Sequence, residues 1–220
     1  FLNFTLKFGL WIPKIPWNPF ISIGGAVASN IHGKSGGLHG TIRNVIRDIL
    51  IFHKGHGWLN LSNDKNKNVF DLTIGGYGLT GTIVSVTLQL SDFEGFNFET
   101  SIKKINSTIE AVNFINDNKE KNNLIYSWNR VTANSQNFGD GLIFCNKIST
   151  HNKEKKLDIL KSCRPRFLSN LLNFCLWNKF SVKTFNYFFL NYYLYLKKNV
   201  YKDNFINVMF PFWWNDSPSS

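Results

Sequence analysis

The chain has 220 residues, 43% of them apolar, and a formal net charge of +11. That length and apolar share allow one large domain or two small ones with a real core, and they exclude a disordered chain. No apolar run is long enough to span a bilayer. The three cysteines, Cys145, Cys163 and Cys175, lack CxxC spacing and read as free thiols of a reducing, cytoplasmic compartment.

A basic chain suits nucleic acid, an anionic membrane surface or an anionic ligand. Here the lysines are scattered among Asn, Ile and Phe with no dense Arg/Lys block. AT-rich coding alone produces that composition, so nucleic acid is not taken as a partner. The chain begins at Phe1 and its one methionine is Met209. It reads as an internal fragment of a longer protein with no signal-peptide remnant.

Phe1–Phe8 reads as the end of a helix or strand, and the prolines at 13 and 16 force an extended path. Ile21–Ile23 reads as a short strand leading into Gly24-Gly25-Ala26-Val27-Ala28-Ser29. This nearly bare backbone lets a flat or charged ligand come close and leaves its N–H groups available as donors. Ala28–Ser35 is one glycine short of a phosphate-binding P-loop. Gly36, Gly37 and Gly40 make a poor helix start behind it, which excludes a nucleoside triphosphatase.

Val45–Phe52 and Trp58–Leu61 read as a hairpin around Lys54–Gly57. His53 and His56 have metal-like spacing but flank a glycine turn with no third ligand in view, so no metal is expected. Phe70–Ile74 reads as a strand. Gly76–Gly81 is an intact GxGxxG, but the β-branched, alternating Thr82–Leu90 follows it as a strand. A nicotinamide-type dinucleotide fold needs a helix there.

The character changes after Ser91. Ser107-Thr-Ile-Glu110 is a capping box, with Ile109, Val112 and Ile115 at helical spacing behind it. Leu124–Arg130 and Leu142–Ile148 read as strands around Gly139-Asp140-Gly141, and Cys145 reads as an inert buried thiol. Thr150–Lys161 is polar and basic. The aromatic run from Phe174 to Tyr195 reads first as core. Its lysines, Lys179, Lys183, Lys197 and Lys198, leave room for peripheral association with a membrane surface. The order of elements gives an α+β chain with domains at 1–91 and 92–220.

These pieces together resemble FAD-linked oxidoreductases of the vanillyl-alcohol oxidase / p-cresol methylhydroxylase (PCMH) type. Ile21–Asn30 looks like that family's second flavin-contacting loop, and Leu72–Ile83 looks like its later glycine turn. Ile31-His32-Gly33-Lys34 is similar to the decaprenylphosphoryl-ribose 2′-oxidase branch. Tyr126–Asn129, Leu171–Asn173 and Phe185-Asn186 look like landmarks of that branch's substrate domain.

The resemblance implies the second part of a PCMH-type FAD-binding domain, followed by an incomplete α+β substrate (cap) domain over the flavin ring. The family's pyrophosphate loop is then expected before Phe1, and its C-terminal flavin-facing segment after Ser220. By the resemblance, FAD contacts fall on Ser22, Ile23, Gly24, Gly25, Ser29, Asn30, Ile31, His32 and Ile83. Lys34 stands near the ring and substrate as the candidate catalytic residue. The implied reaction takes a hydride from a secondary alcohol of a sugar, either a small molecule or a lipid-linked (polyprenyl-phosphoryl) pentose. A sugar-lactone or alditol oxidase is the alternative, as is a non-catalytic remnant without cofactor. The chain departs from the branch at Trp17, at Ser35-Gly36-Gly37 and at Asn129-Arg130, and the last two differences bear on substrate.

Overall fold

The structure is a computed structural model that describes residues 1–12, 14, 16, 21–34, 40–131, 138–149, 178–196 and 200–209. Trp17, residues 35–39, Thr150–Lys161, Cys163, Leu171–Asn173, Phe174, Cys175, Trp177, Lys197 and Lys198 lie outside the described residues. The chain divides into two compact units, Phe1–Phe93 and Glu94–Ser220. Each mixes helices with antiparallel sheet, an α+β architecture.

The first unit opens with α1 (Leu2–Thr5) and a single 3-10 turn, so the N-terminal stretch is helical. β1 (Leu10–Trp11) pairs with β5 (Ser91–Asp92). The short helix α2 (Ile23–Ala28) precedes a three-stranded sheet of order β3-β2-β4, built from β2 (Ile46–His53), β3 (Gly57–Ser62) and β4 (Thr82–Leu88). The hairpin forms as its sequence dictates, with Gly57 at φ +69° closing the turn. Ile49 and Ile51 alternate inward from β2 and pack with Ala26, Val27, Leu61, Phe70 and Ile74.

Two segments expected as strands are helical. Ile21–Ile23 gives way to the start of α2. Phe70–Ile74 falls on α3 (Lys67–Thr73) and its cap. The alternation of Phe70, Leu72 and Ile74 suggests a strand, but Leu72 is 66% exposed while Phe70, Thr73 and Ile74 are buried. That i, i+3, i+4 set is one helical face. Asp71 lies on the flank of that face, where Lys67 at i, i+4 spacing and Arg43, whose guanidinium also lies over the Phe70 ring, pair with it. The hydrogen bond from Lys67, with Arg43 adding to it, holds the Asp71 carboxyl below its ordinary value.

In the second unit, β7 (Leu124–Asn129), β8 (Gly141–Ile148), β6 (Asn97–Ile105) and β9 (Tyr201–Asn204) form an antiparallel sheet in that order. β8 is buried on both faces from Gly141 to Asn146. On one face α4 (Thr108–Asn118) packs Ala111, Phe114 and Ile115 against Ile105, Ile125, Ile143 and Cys145. Half of the capping box forms as expected, with Ser107 Oγ accepting the Glu110 N–H at 3.1 Å; the Glu110 carboxylate reaches one residue further back and accepts from Asn106 N at 2.9 Å. The buried stripe differs from the expected one. Ile109 and Val112 are exposed, and Ala111, Phe114 and Ile115 face the sheet. Burial raises the Cys145 thiol, in keeping with an inert side chain.

The other face meets α5 (Lys179–Leu196), whose Phe185, Phe189 and Tyr193 contact Trp128 and Phe144. Trp128 Nε1–H donates to Asn186 Oδ1 at 3.2 Å, so two separated sequence landmarks meet in one hydrogen bond. After β9 the described chain ends in α6 (Phe205–Met209), whose Phe205 packs on Phe96 and Phe98.

The helical assignment of α3 has a direct consequence. Phe70→Ala removes a ring that is 1% exposed and is expected to cost about 3–5 kcal/mol. Leu72→Ala, on the outer face, is expected to stay within about 0.5 kcal/mol of the parent. Urea unfolding followed by circular dichroism measures both, and a strand would make the two losses comparable.

Candidate functional site

The site is built around α2. Two glycines inside six residues weaken a helix by about 1 kcal/mol each relative to alanine. Three features offset this. Ser22 is extended, and its Oγ caps the Gly25 N–H at 3.1 Å. Ala26 and Val27 bury almost completely. At the far end Asn30 turns left-handed at φ +45°. Asn30 N–H then reaches Val27 O at 3.0 Å, and Ile31 N–H reaches Ala26 O at 3.1 Å. This is the Schellman pattern of helix termination, with asparagine in the place usually held by glycine.

The last carbonyls of α2 are also taken from outside the helix. Gly75 N–H donates to Val27 O and Tyr77 N–H to Ala28 O, each at 3.0 Å. The second glycine segment is thereby stitched to the first. Its glycines answer the chain's own needs. A Cβ on Gly76 would meet Leu72 O at 2.0 Å, and one on Gly81, at φ +132°, would meet Phe52 O at 2.7 Å. The GxGxxG here runs from helix α3 through a turn into strand β4, which agrees with the absence of a nicotinamide-type motif and corrects the strand before it. Gly24 differs: no described atom lies within 4 Å of a Cβ built on it.

The anticipated site residues fall as follows. Ser22 is the helix cap, and Ile23, Gly24 and Gly25 form the half-buried first turn. Ser29 and Asn30 end the helix, Ser29 exposed and Asn30 half-buried. The Asn30 Oδ1 atom is buried with no hydrogen-bond partner. Ile31 packs on the core, and its carbonyl accepts from Ile42 N at 2.8 Å. His32 is exposed and bridges Thr41 in antiparallel fashion. Lys34 is half-buried two residues on. Ile83, on β4, pairs with Ile51 and packs on the core that holds α2. The structure therefore gathers Ser22–Lys34 and Gly75–Ile83 into one unit. Ala28 ends a helix rather than a strand, so the Ala28–Ser35 run has the wrong element before it for a P-loop.

No family model matches the chain. Over 119 residues it is 30% identical to decaprenylphosphoryl-beta-D-ribose oxidase of Mycolicibacterium smegmatis, a match covering 54% of the chain and 26% of that relative. Over 88 residues it is 33% identical to an uncharacterized protein in the mprA 5′ region of Streptomyces coelicolor, covering 39% of the chain and 23% of that relative. The chain thus spans only 26% and 23% of the length of these curated relatives.

Two residues of the first unit escape a reading of the sequence alone. Tyr77 is a bulky residue at φ +50°, 77% exposed, and its N–H closes α2. Its position between Gly76 and Gly78 is the one signal for it. Lys14 is 6% exposed, and burial lowers its ammonium pKa. A single lysine between prolines carries no sequence signal for that. At the hairpin tip the His53 and His56 rings stack at 4.8 Å, and His53 Nδ1 already accepts the Gly55 N–H. Among the described residues no group of three or more His, Cys, Asp or Glu could hold a metal.

The left-handed Asn30 separates two substitutions. Asn30→Val places a β-branched residue at positive φ and is expected to lose about 1–2 kcal/mol of stability. Asn30→Gly keeps the turn, removes the unpartnered oxygen, and is expected to match or exceed the parent in urea unfolding.

Proposed function

We propose that the chain is part of an FAD-dependent oxidoreductase that oxidises a secondary hydroxyl of a sugar, with a lipid-linked or phosphorylated pentose as the substrate class. The observation that carries this reading is the junction of Ser22–Lys34 with Gly75–Ile83 through the Gly75 and Tyr77 N–H groups. These are the two stretches that resemble flavin contacts, and they lie far apart in sequence. The partial likeness to an oxidase named for a decaprenylphosphoryl ribose supports a flavin oxidoreductase, and that relative's name is the source of the proposed substrate class.

The residues present fit such a cofactor. The buried Asn30 Oδ1 calls for a donor, which the N–H and O–H groups of a flavin dinucleotide can supply. The open space above Gly24 admits a flat group against bare backbone. Ser22, Ile23, Gly24, Gly25, Ser29, Asn30, Ile31, His32 and Ile83 would hold FAD, mostly through backbone. When bound, FAD supplies the two-electron acceptor for a hydride. Lys34 would meet the substrate side, where its ammonium can hold a hydroxyl oxygen or a phosphate in place.

Gly24 makes a cleaner probe than Gly25, because a Cβ on Gly25 already presses on Ser22 Oγ at 3.1 Å. In the full-length gene product, Gly24→Val is expected to leave melting unchanged and abolish flavin content. Lys34→Ala is expected to keep flavin and lose turnover at least about tenfold. Anaerobic flavin bleaching by stopped flow tests the substrate. Bleaching by a prenyl-phosphoryl pentose supports the proposal, and fast bleaching by only a free lactone or alditol rejects the lipid-linked class. Normal flavin in Gly24→Val rejects the site.

A further inference from the structure

Helix α5 carries aromatic side chains on two opposite faces. Phe185, Asn186, Phe189 and Tyr193 pack inward on the sheet of the second unit. Outward stand Phe180, Tyr187, Phe188, Tyr192 and Tyr195, which are 79%, 61%, 65%, 55% and 75% exposed. Positions 180, 183 and 187 and positions 188, 192 and 195 each step by three or four residues, two adjacent rows that together form a stripe about 22 Å long at 1.5 Å per residue. Lys183 is exposed on the same stripe, between Phe180 and Tyr187. A stripe of this size facing water marks an interaction surface rather than ordinary surface scatter.

We propose that this face docks on an anionic lipid surface, with α5 lying along the headgroup boundary. Three observations favour lipid over a protein partner. Three of the five exposed rings are tyrosines, whose apolar body and wet tip suit the membrane–water interface. Residues 179–196 contain no Asp or Glu, and the whole chain carries +11, which complements anionic headgroups. No helix among the described residues is long and apolar enough to cross a membrane, so the contact is along the surface and not through it. The proposal does not depend on the flavin reading. If both hold, the second unit brings the enzyme to the surface where a lipid-linked sugar resides.

The test is co-sedimentation of the full chain with sucrose-loaded vesicles. One set is phosphatidylcholine alone and the other contains about one third phosphatidylglycerol, a fraction large enough to charge the surface. The protein is expected to bind the anionic vesicles and to be released by high salt. The triple variant Tyr187→Ser, Phe188→Ser, Tyr192→Ser is expected to weaken binding at least about tenfold through lost apolar burial. Lys183→Glu is expected to weaken it several-fold on anionic vesicles and not on neutral ones. Circular dichroism and melting should stay unchanged, because these side chains point away from the sheet. Should the triple variant fail to fold, Phe188→Ser and Tyr195→Ser carry the same comparison singly. Wild-type protein that ignores both vesicle types overturns the proposal, as do variants that bind like the parent. A concentration-dependent dimer that the triple variant abolishes, without vesicle binding, assigns the face to a second copy of the chain and also overturns it.

Discussion

Two backbone hydrogen bonds set the geometry of the first unit: Gly75 N–H to Val27 O and Tyr77 N–H to Ala28 O. A helix end leaves its final carbonyls without partners, and burying them unpaired costs more than a new bond returns. Here Asn30 N–H already meets Val27 O, and the glycine turn after α3 adds a second donor there and supplies one to Ala28 O. That requirement fixes where the turn sits, and with it the start of β4 and the placement of Phe70 and Ile74 against Ala26 and Val27. It also accounts for Tyr77. A bulky residue at positive φ is strained and persists where the surroundings over-determine it, and here its N–H is already committed to α2.

The second unit solves a different problem. Its central strand β8 is buried on both faces, yet it carries Asn146, which is fully buried. Asn146 accepts from Thr100 Oγ1 at 2.8 Å and donates to Leu124 O at 3.2 Å, tying β6, β8 and β7 together through one side chain. Its oxygen reaches β6 and its amide reaches β7, with a longer contact to Phe144 O on its own strand at 3.4 Å, so it helps specify register where apolar side chains alone would not. Arg130 and Asp140 close the β7–β8 connection as a charged pair, and the hydrogen bond that Arg130 donates to the Asp140 carboxylate raises the guanidinium pKa further.

Much of this was legible in the residues. The β2–β3 hairpin, the strand β4, the capped start of α4 and the strands β7 and β8 follow from alternation, turn glycines and the Ser107–Glu110 box. Failures cluster where short segments satisfy two periods at once. Phe70-Asp-Leu-Thr-Ile74 alternates like a strand, and only the exposure of Leu72 reveals the helix. Ile23–Ala28 looks too rich in glycine for a helix until the burial of Ala26 and Val27 is known. At the candidate site, the sequence names Gly24 and Asn30 by resemblance. It could not separate Gly24, which has open space beside it, from Gly76 and Gly81, which the chain's own carbonyls require. That distinction depends on atoms brought near by the fold, and no local pattern encodes it.

The pairing of β9 with β6 carries a consequence for biosynthesis. Thr100 is aligned with Tyr201, and Phe98 with Asp203, so the sheet's last edge is supplied about a hundred residues after its partner, a costly loop to close. While the intervening chain is still being made on the ribosome, β6 has a bare edge and Phe98 lacks the cover that Phe205 later gives it. Nascent chains with such an edge are open to off-pathway strand pairing. In the first unit the β1–β5 pair, Leu10 with Asp92, waits about eighty residues in the same way, whereas β2, β3 and β4 find their partners within a much shorter stretch of chain.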